Sequence, residues 1–284
     1  MKVFNVDLYE YFNIEKPSGA QGVLTCYLQN LITETYKDRS FPAILVIPGG
    51  AYAMTSQREK DPIALKYLSN GYNAFILNYS VSPLNFPTQF IEASMAMAYI
   101  RDNAKNLNVR KDRVCALGCS AGGHLLGTIS TMFERSEIDF LGDKKSYVRP
   151  DASIFMYPVI SGVDKPHVGS FINLLGDGYE DKLEEFSIDK NVSKNCPPAF
   201  IVSTVGDLGV PCRNSLLLAR AYEEYGVPFE LHIFERGRHG LSTGERVTFN
   251  KNDWQEVEST TSKNYYKWVE LSLNWLKERD FEVI

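Results

Sequence analysis

The sequence predicts an α/β protein whose mostly parallel, doubly wound sheet carries helices on both faces. Short apolar, β-branched runs alternate with helical stretches along the chain, as in successive strand–helix–strand units. The runs are apolar throughout instead of alternating with polar residues, as strands buried on both faces require. The chain of 284 residues is long enough to bury a sizeable core. We therefore expect a single domain over residues 1–284.

The individual elements follow from local patterns. The predicted strands are, in order, 42–48 (PAILVIP), 72–79 (YNAFILNY), 112–118 (DRVCALG), 151–160 (DASIFMYPVI), 198–204 (PAFIVST) and 229–234 (FELHIF). The predicted helices are 61–71, 87–108, 122–133, 213–226 and one from about 265 to 277. The first of these helices has Pro62 in its first turn and Gly71 at its end, which are common helix boundary signals.

Residues 161–197 interrupt this alternation of strands and helices. The stretch is polar and rich in predicted loops, and it contains the sequence HVGSFINLLGDGYEDKLEEF. An excursion of this length within a compact domain is usually functional. We expect it to form a small cap-like segment.

Composition and charge argue against several classes of partner and site. The formal net charge is −5 and no block of Lys or Arg occurs, so neither nucleic acid nor an anionic membrane is favoured. Polar residues interrupt every N-terminal apolar run, which predicts no signal peptide, and no segment approaches the roughly 18 apolar residues of a transmembrane helix. The five cysteines are odd in number and scattered, which argues against a disulfide framework and against structural zinc. We expect a reduced, cytoplasmic protein without a metal.

The stretch GCSAG (118–122) has the pattern Gly-x-Ser-x-Gly between a predicted strand and a predicted helix. Such a string also arises by chance at an appreciable rate, and Ser120 would then be a plain turn residue. The strand before it and the helix after it favour instead a sharp turn that presents Ser120 as a nucleophile. Gly118 and Gly122 would leave room for the closely passing chain, and the helix N-terminus would favour a developing negative charge.

A serine hydroxyl is a weak nucleophile, so Ser120 needs a neighbouring base that is oriented by a carboxylate. His239 lies in a glycine-flanked loop just after the last predicted strand, which is a suitable place for the base. Asp207 follows the preceding predicted strand and is the expected acid, although an aspartate beside a glycine is also common in plain turns. Asp177 and Asp181 are weaker candidates because no strand would hold them.

The other three histidines have different expected roles. His124 follows Ser120 on the predicted helix, where packing is the expected role. His232 lies within the last predicted strand, and we expect it to be buried and hydrogen-bonded. His167 lies in the 161–197 excursion and is a candidate to line a pocket.

Catalysis by Ser120 would also require backbone N–H groups that face a developing oxyanion. The sequence IPGGAY (47–52) follows the first predicted strand, and its glycines would let a ligand approach the main chain. The expected donors are the N–H groups of Gly50 and Ala51, together with that of Ala121 after the nucleophile. The alternative is a tight strand-end turn without this role.

Taken together, these residues resemble the α/β-hydrolase superfamily, and within it the esterase group that includes bacterial acetyl esterases and acetylxylan esterases, near the hormone-sensitive-lipase-like enzymes. The resemblance extends from about Phe41 to nearly the end of the chain. It rests on PGGAY, REKDPIALKYLSNGYNAFILNYSV, GCSAGGHL, PPAFIVSTVGDLGVPCRNS and GVPFELHIFERGRHGLS. The resemblance implies the α/β-hydrolase fold and the chain order serine, acid, histidine. Pro48 departs from the histidine that opens the lipase oxyanion motif, and Ala51 stands in place of its third glycine.

The function expected from these residues is hydrolysis of a carboxylic ester through an acyl-enzyme, without a cofactor. The resemblance implies short acyl groups, above all acetyl, on a small or carbohydrate alcohol such as an acetylated oligosaccharide. Candidate pocket residues are Tyr52, Tyr79, His167 and Phe171, for each of which ordinary packing is an equal alternative.

Two other functions stay open at this point. One is a different serine hydrolase on the same fold, such as an arylformamidase or a small peptidase. The other is a binding protein that kept the fold without the activity.

Overall fold

The computed structural model describes residues 1–32, 34 and 39–284, and a single sheet of eight strands lies at its centre. The strands are β1 (Lys2–Asp7), β2 (Val23–Leu28), β3 (Phe41–Ile47), β4 (Asn73–Asn78), β5 (Val109–Cys119), β6 (Ala152–Met156), β7 (Ala199–Thr204) and β8 (Phe229–Phe234). Their order across the sheet is β1-β2-β4-β3-β5-β6-β7-β8. Strands β3 to β8 pair in parallel, which confirms the predicted fold class.

The first two strands were not predicted. Strand β1 pairs with β2, and β2 pairs with β4, both in antiparallel fashion. The buried positions of β2 alternate with partly exposed ones, which is the pattern of an antiparallel strand with one buried face. Strand β8 at the other edge is only partly buried, so the expectation of burial on both faces fails at this strand.

Helices cover both faces of the sheet. They are α1 (Leu8–Phe12), α2 (Asp61–Leu68), α3 (Thr88–Asp102), α4 (Ala121–Thr131), α5 (Val168–Leu175), α6 (Arg213–Glu224), α7 (Lys251–Thr260) and α8 (Trp268–Lys277). One core cluster includes side chains of α1, α3, α4, α5 and α6, and the cluster on the opposite face includes side chains of α2, α7 and α8. Helices α1, α5 and α7 were not predicted, and the predicted helix 87–108 ends earlier, at Asp102.

The 161–197 excursion contains α5 and two short 3₁₀ turns. Phe171 and Leu174 of α5, with Phe186 and Ile188 further along, are buried in the same core cluster as α3 and α4. The excursion is therefore packed onto the carboxyl end of the sheet by apolar side chains. Across the described residues, every helix is too short or too polar to span a bilayer.

Glu92, on α3, is a buried acid that connects the N-terminal segment to the sheet. One carboxylate oxygen accepts from Tyr9 Oη at 2.9 Å and from Ser80 Oγ at 2.5 Å, and the other accepts from the Ser80 N–H at 2.5 Å. Burial raises the pKa of the Glu92 carboxyl above its ordinary value of 4.5, although these hydrogen bonds act in the opposite direction. The folded protein therefore holds this proton to a higher pH than the unfolded chain does.

This raised pKa predicts that Glu92 makes the free energy of unfolding depend on pH. As the pH rises from the ordinary value of 4.5 to the raised value, the unfolded chain ionises Glu92 while the folded protein keeps it protonated, so the free energy of unfolding falls. Glutamine does not ionise, so the free energy of unfolding of Glu92→Gln should fall less than that of the wild type between about pH 4 and about pH 7. Urea denaturation of both proteins at the two pH values measures the difference. Parallel pH profiles would show that Glu92 titrates normally.

Candidate active site

Ser120 stands between the end of β5 and the first residue of α4, in a conformation that non-glycine residues rarely adopt. Its φ is 53° and its ψ is −119°. The Ser120 N–H donates to the Met156 carbonyl at 2.9 Å, and the Ser120 carbonyl accepts from the N–H groups of His124 and Val159 at 3.1 and 3.0 Å. These bonds to β6 and to the first turn of α4 hold the strained backbone in place.

The glycines around Ser120 are required by close backbone contacts. A Cβ on Gly118 would lie 2.3 Å from the Gly122 carbonyl oxygen. A Cβ on Gly122 would lie 2.2 and 2.4 Å from the carbonyl oxygens of Ile47 and Pro48. The Cβ positions of Gly118 and Gly122 are therefore filled by backbone, which belongs to the first turn of α4 and to the end of β3; we call the turn at 118–122 the elbow.

The structure brings Ser120, His239 and Asp207 together. Ser120 Oγ lies 2.8 Å from His239 Nε2, and His239 Nδ1 lies 2.6 Å from Asp207 Oδ2. Asp207 Oδ1 accepts from the N–H groups of Gly209 and Val210 at 2.9 Å each. The Asp207 side chain is 1% exposed and that of His239 is 29% exposed. The acid is therefore held rigidly inside the protein, whereas the imidazole borders on solvent.

The loop of residues 48–52 faces Ser120 from the end of β3. Gly50, Ala51 and Tyr52 have φ angles of 126°, 55° and 56°, which turn the chain sharply. The Gly50 carbonyl accepts from the N–H groups of Ala53 and Met54 at 3.0 and 3.1 Å. Within the described ranges, the N–H groups of Gly50, Ala51 and Ala121 donate to no protein acceptor. These three donors are consequently free to bind an oxyanion, and their role stays a prediction.

Three of the four pocket candidates, Tyr52, Tyr79 and Phe171, lie inside the protein. Tyr52 Oη lies 2.9 Å from His124 Nδ1, and Tyr79 Oη donates to the Pro48 carbonyl at 2.8 Å. The ring of Phe171 packs edge-on against that of His124, with centroids 5.2 Å apart. All three side chains are fully buried, so we expect them to support the loop from behind instead of forming an open wall.

His167 is the pocket candidate nearest to solvent. It caps the start of α5, and its Nδ1 lies 2.8 Å from Ser170 Oγ. Burial lowers the pKa of His167, and the neighbouring His239 lowers it further.

The remaining histidines have structural partners. His124 is fully buried, Nε2 lies 2.8 Å from the Phe186 carbonyl, and burial lowers the pKa to about 4. The neutral ring therefore donates from Nε2 and accepts from Tyr52 at Nδ1, which is the expected packing role. His232 is hydrogen-bonded to the Glu230 side chain at 2.6 Å. The prediction that His232 is buried is wrong, because β8 is an edge strand and leaves the ring 23% exposed.

Sequence reasoning missed Glu59, which lies between the 48–52 loop and the loop that carries His239. Glu59 Oε2 accepts from the Gly49 N–H at 2.8 Å, and Glu59 Oε1 accepts from Tyr157 Oη at 2.7 Å. Tyr157 Oη in turn accepts from the Ser242 N–H at 2.9 Å. A lone glutamate before a helix has no distinctive pattern, so the sequence offers no signal for this contact.

Asn173 of α5 makes a second contact with the 48–52 loop that the sequence did not predict. Its Nδ2 donates to the Ala51 carbonyl at 2.8 Å. The 48–52 loop is therefore tied to the excursion as well as to the sheet.

Known proteins resemble this chain over most of its length. A family model described as BD-FAE matches residues 30–222. An acetylxylan esterase from Xylanibacter ruminicola is 30% identical over 253 residues, which are 87% of this chain and 49% of that protein. Endo-1,4-beta-xylanase B from Butyrivibrio fibrisolvens is 34% identical over 248 residues, which are 84% of this chain and 38% of that protein. The chain thus spans half or less of the length of these curated relatives.

Solved structures share the whole fold. An acetyl ester-xyloside bifunctional hydrolase from Caldicellulosiruptor lactoaceticus is 31% identical, with a TM-score of 0.81 and coverage of 98% of this chain and 97% of that one. The carboxylesterase Cest-2923 from Lactobacillus plantarum WCFS1 has the same TM-score at 24% identity, covering 99% of each chain, and supports the fold alone.

The contact at Gly122 predicts a severe effect of a single methyl group. Gly122→Ala would drive a Cβ into the carbonyl oxygens of Ile47 and Pro48, so the elbow and the end of β3 must separate. We expect a loss of at least about 2 kcal/mol in the free energy of unfolding, measured by urea denaturation. Gly226→Ala is the matched control, because nothing lies within 4 Å of its Cβ position and only its φ of 65° is unfavourable. Equal losses in the two variants would contradict the close contact.

Proposed function

The chain belongs to the BD-FAE family, and from this membership and the α/β-hydrolase fold we propose that it hydrolyses carboxylic esters with Ser120 as the nucleophile. The observation that carries the proposal is the continuous line of hydrogen bonds from Ser120 Oγ through His239 to the buried Asp207. The acetylxylan esterase and the acetyl ester-xyloside hydrolase that this chain resembles support the same reaction class.

In the acylation step, Ser120 Oγ attacks the ester carbonyl carbon while its proton moves to His239 Nε2. The carbonyl electron pair moves onto the oxygen and forms a tetrahedral intermediate. The C–O bond to the alcohol then breaks, and His239 gives its proton to the leaving oxygen. The products of this step are the free alcohol and an acyl group on Ser120.

In the deacylation step, His239 takes a proton from a water molecule that attacks the acyl carbon. Collapse of the second tetrahedral intermediate releases the acid, and His239 returns the proton to Ser120 Oγ. The 29% exposure of the imidazole supports this step, because solvent reaches part of the ring. Asp207 holds the imidazole tautomer that has its proton on Nδ1 and stabilises the imidazolium.

The tetrahedral intermediates carry a negative oxygen, which we assign to the N–H groups of Gly50, Ala51 and Ala121. These groups have no protein acceptor in the described part of the chain, so they are available to the substrate. Loss of one such donor costs about 2.7–4 kcal/mol in other hydrolases. The N-terminus of α4 adds a favourable dipole at the same place.

For the substrate we propose a short acyl group, above all acetyl, on a carbohydrate alcohol. The names of the acetylxylan esterase and of the acetyl ester-xyloside hydrolase support this choice. A groove of about 460 Å³ beside α5 adds physical support, because it offers an aromatic ring and polar side chains of the kind that bind sugars. Its lining includes Asn85, Asn173, Asp177, Tyr179 and Glu180.

The proposed nucleophile and acid can be tested separately. An organophosphonate should label the wild type covalently, and Ser120→Ala should abolish both labelling and ester turnover. Asp207→Asn should lower kcat by several orders of magnitude, about 10⁴-fold in the comparable serine protease, because the imidazole then adopts the wrong tautomer. Mass spectrometry of the adduct and steady-state kinetics measure both effects. An unlabelled wild type would contradict the enzyme proposal, and near-normal activity of Asp207→Asn would place the acid elsewhere.

The proposed substrate class predicts a defined order of activities. Among p-nitrophenyl esters, kcat/KM should fall from acetate to octanoate, and acetylated xylo-oligosaccharides should be turned over faster than p-nitrophenyl acetate. Ser120→Ala serves as the control for spontaneous hydrolysis. A preference for octanoate would refute the short acyl pocket. Faster turnover of a formanilide or of a peptide amide would indicate a different serine hydrolase.

A further inference from the structure

Glu59 is a buried carboxylate without a cationic partner. The residue is 3% exposed, and no ion pair to it is found among the residues that the structure describes. A buried charge is costly unless it is paired or fully hydrogen-bonded. What stabilises this one is a pair of hydrogen bonds from groups in two separate loops.

The first bond fixes the start of the 48–52 loop. Because the Gly49 N–H donates to Glu59 Oε2, it is not available to a substrate, whereas the N–H groups of Gly50 and Ala51 have no acceptor in the described part of the chain. The contact is tight, since a Cβ on Gly49 would lie 2.8 Å from Glu59 Oε2 and 2.9 Å from the Cβ of Ser120. Glu59 therefore holds the oxyanion loop directly against the nucleophile.

The second bond reaches the loop that carries His239. Tyr157 Oη donates to Glu59 Oε1 and accepts from the Ser242 N–H. The Tyr157 ring packs edge-on against His239, with centroids 5.1 Å apart. The Ser242 carbonyl is fixed in turn by Tyr265 Oη at 2.9 Å and Trp268 Nε1 at 3.1 Å. Tyr157 thus connects Glu59 to the loop that carries His239, the proposed base.

We infer that Glu59 is a positioning residue for ester hydrolysis, one that sets the distance between the oxyanion loop and the loop of the catalytic histidine. This inference rests on the proposed function of Ser120 and His239. A carboxylate suits the role because both of its oxygens accept, so it binds the Gly49 N–H and the Tyr157 O–H at once. The oxyanion donors and the base must act on the same ester group, so the distance between them matters. A shift of about 1 Å in such a site can lower the rate about 10²-fold.

Glu59→Gln tests the inference with almost no change in shape. An amide has one accepting end, so one of the two bonds is lost or reversed and the other loses its charge assistance. We expect kcat to fall at least about tenfold while KM changes less than about twofold, because the oxyanion is bound only in the transition state. The inhibition constant of a trifluoromethyl ketone, whose adduct places an oxyanion in the same site, should rise by the same factor as kcat/KM falls.

Tyr157→Phe provides a second, independent variant. It keeps the ring against His239 and removes only the hydroxyl group that joins Glu59 to Ser242. We expect the same pattern in kcat, KM and inhibition constant, and the double variant should be little worse than the worse single one, because both changes break one connection. This variant decides the question if Glu59→Gln fails to fold.

Glu92→Gln is the matched control. Glu92 is also a buried glutamate that accepts from a tyrosine hydroxyl and a backbone N–H, but its partners belong to the N-terminal segment and the end of β4. Its kcat and inhibition constant should stay within about twofold of the wild type. Unchanged kinetics of Glu59→Gln would overturn the inference, as would equal losses in Glu59→Gln and Glu92→Gln, which would indicate a general effect on the fold. A wild type that neither turns over esters nor is labelled at Ser120 would instead refute the proposed function itself.

Discussion

The site depends on the parallel register of β3, β5 and β6, whose carboxyl ends lie level with one another. Ile47 of β3 pairs with Gly118 of β5, and Cys119 of β5 pairs with Met156 of β6. The loops that leave these strands therefore begin side by side. The oxyanion loop and the elbow are brought so close that the backbone carbonyl oxygens of β3 occupy the space where a Cβ on Gly122 would lie. A side chain at that position would separate Ser120 from the proposed oxyanion donors. The distance between them is therefore set by backbone contacts.

The oxyanion loop is held by polar contacts on several sides, which explains how its three consecutive positive φ angles persist. Glu59 binds the loop at Gly49, Asn173 binds it at the Ala51 carbonyl, and Tyr52 reaches back to His124. The contacts of Glu59 and Tyr52 satisfy buried polar groups, and that of Asn173 satisfies a partly buried carbonyl. A strained turn is stable only where its surroundings over-determine it, and these contacts come from three separate parts of the chain. The free N–H groups are thus held in place by several elements that meet at the carboxyl end of the sheet, and not by the loop alone.

The parts of this arrangement that could be predicted are those with a local signal. The alternation of apolar runs with helical stretches predicts the parallel strands, and position after a strand selects Ser120, Asp207 and His239 as neighbours. Strands β1 and β2 were missed because their burial depends on the antiparallel pairing of distant segments, and β2 alternates where the fully buried strands do not. Glu59 was missed for a related reason: its partners lie at positions 49 and 157, and nothing in the surrounding sequence REKDPIAL indicates that this glutamate is buried.

The cost of the arrangement favours a catalyst over a binding protein that merely kept the fold. Ser120 occupies a backbone region that costs on the order of 1–3 kcal/mol, and its side chain is not used to cap α4. Asp207 is a buried carboxylate whose side chain hydrogen-bonds to His239 and to two backbone N–H groups. A glycine at 120 would adopt this backbone region at lower cost, whereas the Asp207 carboxylate serves both the turn at Gly209 and Val210 and the ring of His239. The combination is what transfer of a proton from the Ser120 hydroxyl to His239 would require, which supports the proposed ester cleavage.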